Sequence, residues 1–168
     1  MTYKIKKGKH RAWPFSFGLF YDKQRMEKVV EFDITAKYDL RSTDNNDINK
    51  LFGWGYLNGL HHTDSVRFGW HWDSPLGKVA LFAYCYVDGK RFMIPICRVS
   101  PNYKYLLQID KIGKKYLLSV LDAGMRYRNY GSVEVTFTHN KKISYRLGCF
   151  FGGNNPAPHD ITIKIQNK

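Results

Sequence analysis

The stretch Val66-Arg67-Phe68-Gly69-Trp70-His71-Trp72 decides the fold. Val66, Phe68, Trp70 and Trp72 alternate with Arg67, Gly69 and His71, and a period of two marks a strand with one face on a core. The pattern recurs outward in both directions. Phe32, Ile34, Ala36 and Tyr38 alternate with Glu31, Asp33, Thr35 and Lys37, which predicts a strand there. Leu81–Val87 is apolar on both faces, as a central strand between two layers must be. Tyr105, Leu107 and Ile109 share a face, as do Val133, Val135 and Phe137. Tyr145, Leu147, Cys149 and Phe151 follow, and Ile161, Ile163 and Ile165 close the series. Val87-Asp88-Gly89-Lys90 and Ile112-Gly113-Lys114 read as hairpin turns, with glycine supplying positive φ. A short helix at Asp44–Phe52 is the one helical element that the pattern offers.

Many short strands at regular spacing predict an all-β, antiparallel two-sheet jelly-roll sandwich. At 168 residues one core suffices, so the expectation is a single domain over 1–168 with a basic N-terminal arm at about 1–12. Aromatics make up 16% of the chain, and flat rings pack well on a pleated face. The formal charge is +13. Such a field attracts polyanions, whether acidic polysaccharide or nucleic acid. Lys4, Lys6, Lys7, Lys9 and Arg11 form the densest basic run. No apolar leader and no stretch long enough to cross a bilayer is visible, so a cytoplasmic or virion location and no membrane partner are expected. Cys85, Cys97 and Cys149 are odd in number and far apart, which predicts buried reduced thiols rather than a disulfide framework or zinc.

The densest chemistry lies in Trp54, Tyr56, His61, His62, Asp64, Arg67, His71 and Asp73. Aromatic rings stack on the C–H faces of sugars, while Arg, His, Asp and Asn bond the hydroxyls. Arg67 and His71 lie opposite Phe68 and Trp70 on their strand, hence away from the core. A ligand is therefore expected over Arg67 and His71, bordered by Trp54, Tyr56, His61 and Asn154. Adjacent histidines on an extended chain point to opposite faces, so His61 and His62 with Asp64 make a poor metal site, and none is expected. No cofactor is expected either. Calcium on the cluster Asp44, Asn45, Asn46, Asp47 and Asn49 is the one alternative, and that cluster lacks EF-hand spacing. There is no nucleophile elbow or phosphate loop, and Glu134 stands alone on its strand, where a retaining glycosidase needs two carboxylates.

The run Phe68-Gly69-Trp70, Leu81-Phe82-Ala83-Tyr84, Asp88-Gly89-Lys90-Arg91, Tyr105-Leu106-Leu107-Gln108-Ile109 and Gly113–Val120 resembles the strand order of concanavalin-like jelly rolls. That group holds laminin-G modules and family-7-type polysaccharide lyases. The closing Phe150–Ile161, with Gly152-Gly153-Asn154-Asn155-Pro156, is similar to the last strands of uncharacterised jelly-roll proteins of Bacteroidetes and their phages. The resemblance spans roughly residues 30–168. It implies an arginine strand, a Gln-Ile-His element and a late tyrosine if the chain is a lyase. Here Gln108-Ile109 is followed by Asp110, and Tyr145-Arg146-Leu147-Gly148 matches the tyrosine element only in part. The expected function is thus a non-catalytic recognition module for a glycan, with acidic polysaccharide foremost. The alternatives are a phage structural or host-interaction protein contacting other virion proteins, a nucleic-acid binder and a degenerate lyase.

Overall fold

Alternation along Val66–Trp72 sends four large apolar side chains inward, and the rest of the chain is arranged to meet them. The computed structural model describes residues 1–15, 17–40, 47–57, 60–125 and 128–168. In chain order the strands are β1 (Thr2–Ile5), β2 (Ala12–Trp13), β3 (Leu19–Tyr21), β4 (Arg25–Phe32), β5 (Asn49–Tyr56), β6 (Ser65–Asp73) and β7 (Lys78–Val87). Then come β8 (Lys90–Val99), β9 (Lys104–Ile112), β10 (Lys115–Asp122), β11 (Asn129–Thr136), β12 (Ile143–Leu147) and β13 (Ile161–Asn167). They form a seven-stranded sheet, β11-β10-β9-β4-β13-β1-β2, and a six-stranded sheet, β3-β12-β5-β6-β7-β8. This is the two-sheet jelly-roll sandwich that the period-two pattern predicts.

The core lies between the sheets. Phe32 of the larger sheet meets Trp70 of the smaller, centroids 5.3 Å apart, and Tyr116 meets Trp54 at 6.2 Å. Valine, leucine and isoleucine from β7, β9, β10 and β13 fill the space around them. At one seam β8 and β11 approach so closely that a Cβ on Gly131 would stand 2.6 Å from the Ile96 carbonyl oxygen. At the other seam the chain passes from β2, the edge of one sheet, to β3, the edge of the other. Asp88 and Gly89 both have positive φ, which fits the two-residue hairpin joining β7 to β8. Cys85, Cys97 and Cys149 are free thiols; the first and last are buried, and Cys97 is half-buried.

Four expectations need correction. The strand expected over Glu31–Tyr38 ends at Phe32, and Ile34–Ala36 forms a 3₁₀ turn capped by the Asp33 carboxylate, which accepts from the Thr35 N–H at 2.9 Å. That local bond competes with the ladder, and Ile34 is left exposed. The helix expected over Asp44–Phe52 is strand from Asn49 onward, while Asp44, Asn45 and Asn46 lie outside the described residues. The basic run is not a free arm, because Thr2–Ile5 pairs with β13 and Ile5 is in the core. Finally, Tyr145 and Leu147 do not share the inward face. Ser144 and Arg146 pair with Tyr56 and Trp54, so Tyr145 turns outward beside Gly55.

Candidate functional site

The outward face of the six-stranded sheet is built by what β5 leaves out. Gly53 and Gly55 stand opposite Arg67 and Ser65, and a Cβ on Gly53 would fall 2.5 Å from both Cα and Cβ of Arg67. A Cβ on Gly55 would come within 3.2 Å of the Tyr145 hydroxyl and of His61 Cβ. Beside this close approach lies a cleft of about 480 Å³. Arg67, Lys50 and Tyr84 line it, with His61 and His62 on one side and Arg11, Pro14, Phe15 and Leu147–Phe150 on the other.

Its electrostatics are dominated by cations, with Asp47 opposing them at Lys50. Arg67 is only 5% exposed and its Nε has no hydrogen-bond partner among the described residues. No carboxylate forms an ion pair with it there, and no Asp or Glu is among the described residues lining the cleft. Its guanidinium lies 5.1 Å from the centre of the Tyr84 ring, and Lys50 Nζ lies 4.8 Å from the same ring. Burial draws the Lys50 ammonium down to about 8, helped by the Arg67 charge and opposed by the Asp47 carboxylate. Burial, and then Arg67, likewise draws His61 down to about 4, so its ring is neutral at pH 7. The Tyr145 hydroxyl reaches His61 Nδ1 at 3.5 Å. A buried charge without a partner is costly in a fold. Here the cleft leaves that charge facing an open volume that an anion can enter.

The residues named from sequence divide between the two faces. Arg67 and His61 line the cleft. His71 shares the outward face of β6 two pairs further along, its ring 5.2 Å from Phe82. Trp54 and Tyr56 point the other way, wholly buried against Tyr116 and Phe137, because the glycines between them take the outward positions. Asn154 is exposed in the loop after Phe151 and is not among the lining residues. His61 and His62 do not point to opposite faces. Thr63 N–H donates to the Leu60 carbonyl in a turn, which brings the rings to 4.2 Å. Asp64 is turned away from them to Lys141, and among the described residues no group of three or more His, Cys, Asp or Glu is placed to hold a metal.

Lys50, Tyr84 and Tyr145 were not singled out for the cleft by sequence. Reading Leu81–Val87 as apolar on both faces hid that Tyr84 and Tyr86 stand beside Arg67 and Ser65. Gln108-Ile109-Asp110 lies on β9 of the other sheet, where Asp110 binds Arg25 at 2.5 Å, so it takes no part in the cleft.

With this geometry the chain is similar to solved structures of one architecture. It covers 99% of its own length and 74% of the alginate lyase AlyC3 at a TM-score of 0.62 and 11% identity. Against an alginate lyase from Chlorella virus the values are 99%, 81%, 0.55 and 14%. A functionally unknown protein from Saccharomyces cerevisiae aligns over 99% of this chain and 87% of its own, at 0.54 and 10%. The chain spans only 59% of the length of the alginate lyase from Klebsiella pneumoniae, which it also resembles. It has the concanavalin-like jelly-roll fold. No family model and no curated protein matches it by sequence. Among the described residues no helix is long and apolar enough to cross a membrane.

Proposed function

We propose that the cleft binds an acidic saccharide, with Arg67 receiving a sugar carboxylate. One observation carries the reading: a nearly fully buried arginine, its Nε unpaired among the described residues, opens into a cleft whose described lining holds Arg11 and Lys50 and no carboxylate. A guanidinium matches a carboxylate in two parallel N–H···O bonds, which a neutral hydroxyl cannot accept as well. Tyr84 supplies a ring face beside it for the apolar side of a sugar. The similarity to alginate lyases agrees with this ligand class. Titration with uronic-acid oligosaccharides and with neutral ones of equal length, at low and high salt, tests it. Binding of the acidic set alone, lost in Arg67→Ala, is the expected result; equal binding of both sets defeats the reading.

A second reading, uronate elimination, is favoured by the contact between Tyr145 and His61. A neutral imidazole can take the proton from the carbon beside the carboxylate. The glycosidic C–O bond then breaks as a C=C bond forms, and the tyrosine hydroxyl gives its proton to the departing oxygen. Arg67 would hold the carboxylate through that step. Ultraviolet absorbance of the unsaturated product during incubation with polyuronate distinguishes turnover from binding.

A further inference from the structure

The cleft opens onto an unusual surface. From β2 to β3 the large residues at every odd position point to water: Trp13, Phe15, Phe17, Leu19 and Tyr21 are each between 60% and 74% exposed. Of the described residues that alternate with them, Ala12 is buried and Pro14, Gly18 and Phe20 are half-buried. An edge of a sheet is ordinarily guarded by charge, since bare apolar edges invite association. Here the rings form a row, and Pro14 and Phe15 belong to the cleft wall. Lys4 stands in register with Trp13, and Lys7, Lys9 and Arg11 are exposed in the same terminal segment. Asp160 pairs with Lys6 and accepts the Lys7 N–H, while the side chains of Lys7, Lys9 and Arg11 form no ion pair among the described residues.

We infer that this aromatic row and its basic border continue the cleft as a track for a polyanionic glycan chain, so that the protein grips several consecutive sugars rather than one. The inference rests on the acidic-saccharide reading of the cleft. Three features select this occupant. The row is continuous with the cleft through Phe15. Four of its five members are aromatic, and flat rings suit the C–H faces of sugars. The border is predominantly cationic, although Asp160 pairs with Lys6, and its remaining lysines oppose a second copy of this chain, which would bring the same charges against them. A single strand of nucleic acid also pairs phosphates with stacked rings. A uronate, however, carries its carboxylate and its apolar face on one ring, and Arg67 stands beside the Tyr84 ring in just that relation.

The test is the dependence of affinity on chain length. Uronic-acid oligomers from disaccharide to octasaccharide are titrated by calorimetry into the wild type, the strap variant Trp13→Ala/Phe17→Ala, whose two side chains lie outside the cleft wall, and Arg67→Ala, with single-stranded oligonucleotide of equal charge as a parallel probe. The wild type should gain roughly ten- to a hundred-fold from the shortest to the longest oligomer, the yield of about two stacked rings. The strap variant should bind the disaccharide normally and gain little with length, with an unchanged melting temperature because both side chains are exposed. Length dependence that survives in the strap variant overturns the track and leaves the cleft reading standing. Disaccharide binding that survives in Arg67→Ala removes the cleft reading itself. Tighter binding of the oligonucleotide, or a dimer in sedimentation that the strap variant dissolves, assigns the row to another partner and ends the proposal.

Discussion

Asp64 and Arg67 are three residues apart, one just before β6 and one within it, and both are nearly sealed from water, at 1% and 5% exposure. Asp64 is answered inside the chain: Lys141 pairs with it, and the Asp88 N–H donates to it at 3.1 Å. Among the described residues Arg67 forms no ion pair and its Nε has no hydrogen-bond partner, and its guanidinium lies against the face of Tyr84. The first charge ties the start of β6 to the β7–β8 turn and to the segment before β12, so it is part of what holds the fold. The second contributes nothing of that kind. A sandwich able to bury a salt bridge beside the cleft has left the neighbouring cation without one, and that difference separates architecture from site.

The largest expected effect comes from breaking the answered charge. Asp64→Ala strands Lys141 in a mostly buried place, and urea unfolding should show a loss of about 3–5 kcal/mol. A loss below 1 kcal/mol would erase the distinction drawn above. Arg67→Ala should weaken acidic-saccharide binding by about 1.5–3 kcal/mol, the range for a charged hydrogen bond, while the melting temperature stays nearly constant. Arg67→Met sharpens the contrast, because replacing an unpaired buried charge with an apolar side chain of similar length should raise stability, by about 1 kcal/mol or more. A fall in melting temperature for the methionine variant would show that Arg67 has a structural partner after all.

Lys50 offers a comparison by pH. Its folded pKa, about 8, lies below that of an unfolded lysine. Between those two values the unfolded chain binds more protons than the folded one, so stability should rise with pH across that window. Affinity for an acidic saccharide should do the opposite and fall as pH passes above about 8, since the cleft loses a positive charge. Lys50→Met should flatten both curves, as read by thermal melts and calorimetry over the same pH range. The smallest effect belongs to the exposed pairs: Arg25→Gln, which breaks the 2.5 Å bond to Asp110, should change stability by less than about 1 kcal/mol.

Much of the fold was legible because large apolar residues recur at a period of two along the strands. Val66–Trp72 and Tyr105–Ile109 are of this kind, and both emerged as strands, although Arg67 and Leu106 on the second face are buried as well. The first thirty residues were less legible. β1, β2 and β3 are two to four residues long and earn their place through pairing with β13 and β12, which no local pattern announces. The site was half legible. Arg67 could be placed on the outward face by parity alone. Trp54 and Tyr56 misled because a Gly-Trp-Gly-Tyr run reads as an exposed aromatic motif. In fact the glycines mark the face where other side chains need room. Lys50 reaches that face only because the β5 register shifts between Lys50 and Gly53, and a bulge of that sort leaves no periodic trace.

The passage from β2 to β3 has a further consequence for handling the protein. β1 covers the ladder of β13, and β3 covers that of β12, so the first twenty-one residues close one border of both sheets together. Proteolytic loss of that segment would uncover two bare strands side by side, each with unpaired N–H and C=O groups. The product would be prone to strand-swapped oligomers and aggregates rather than being a slightly shortened monomer.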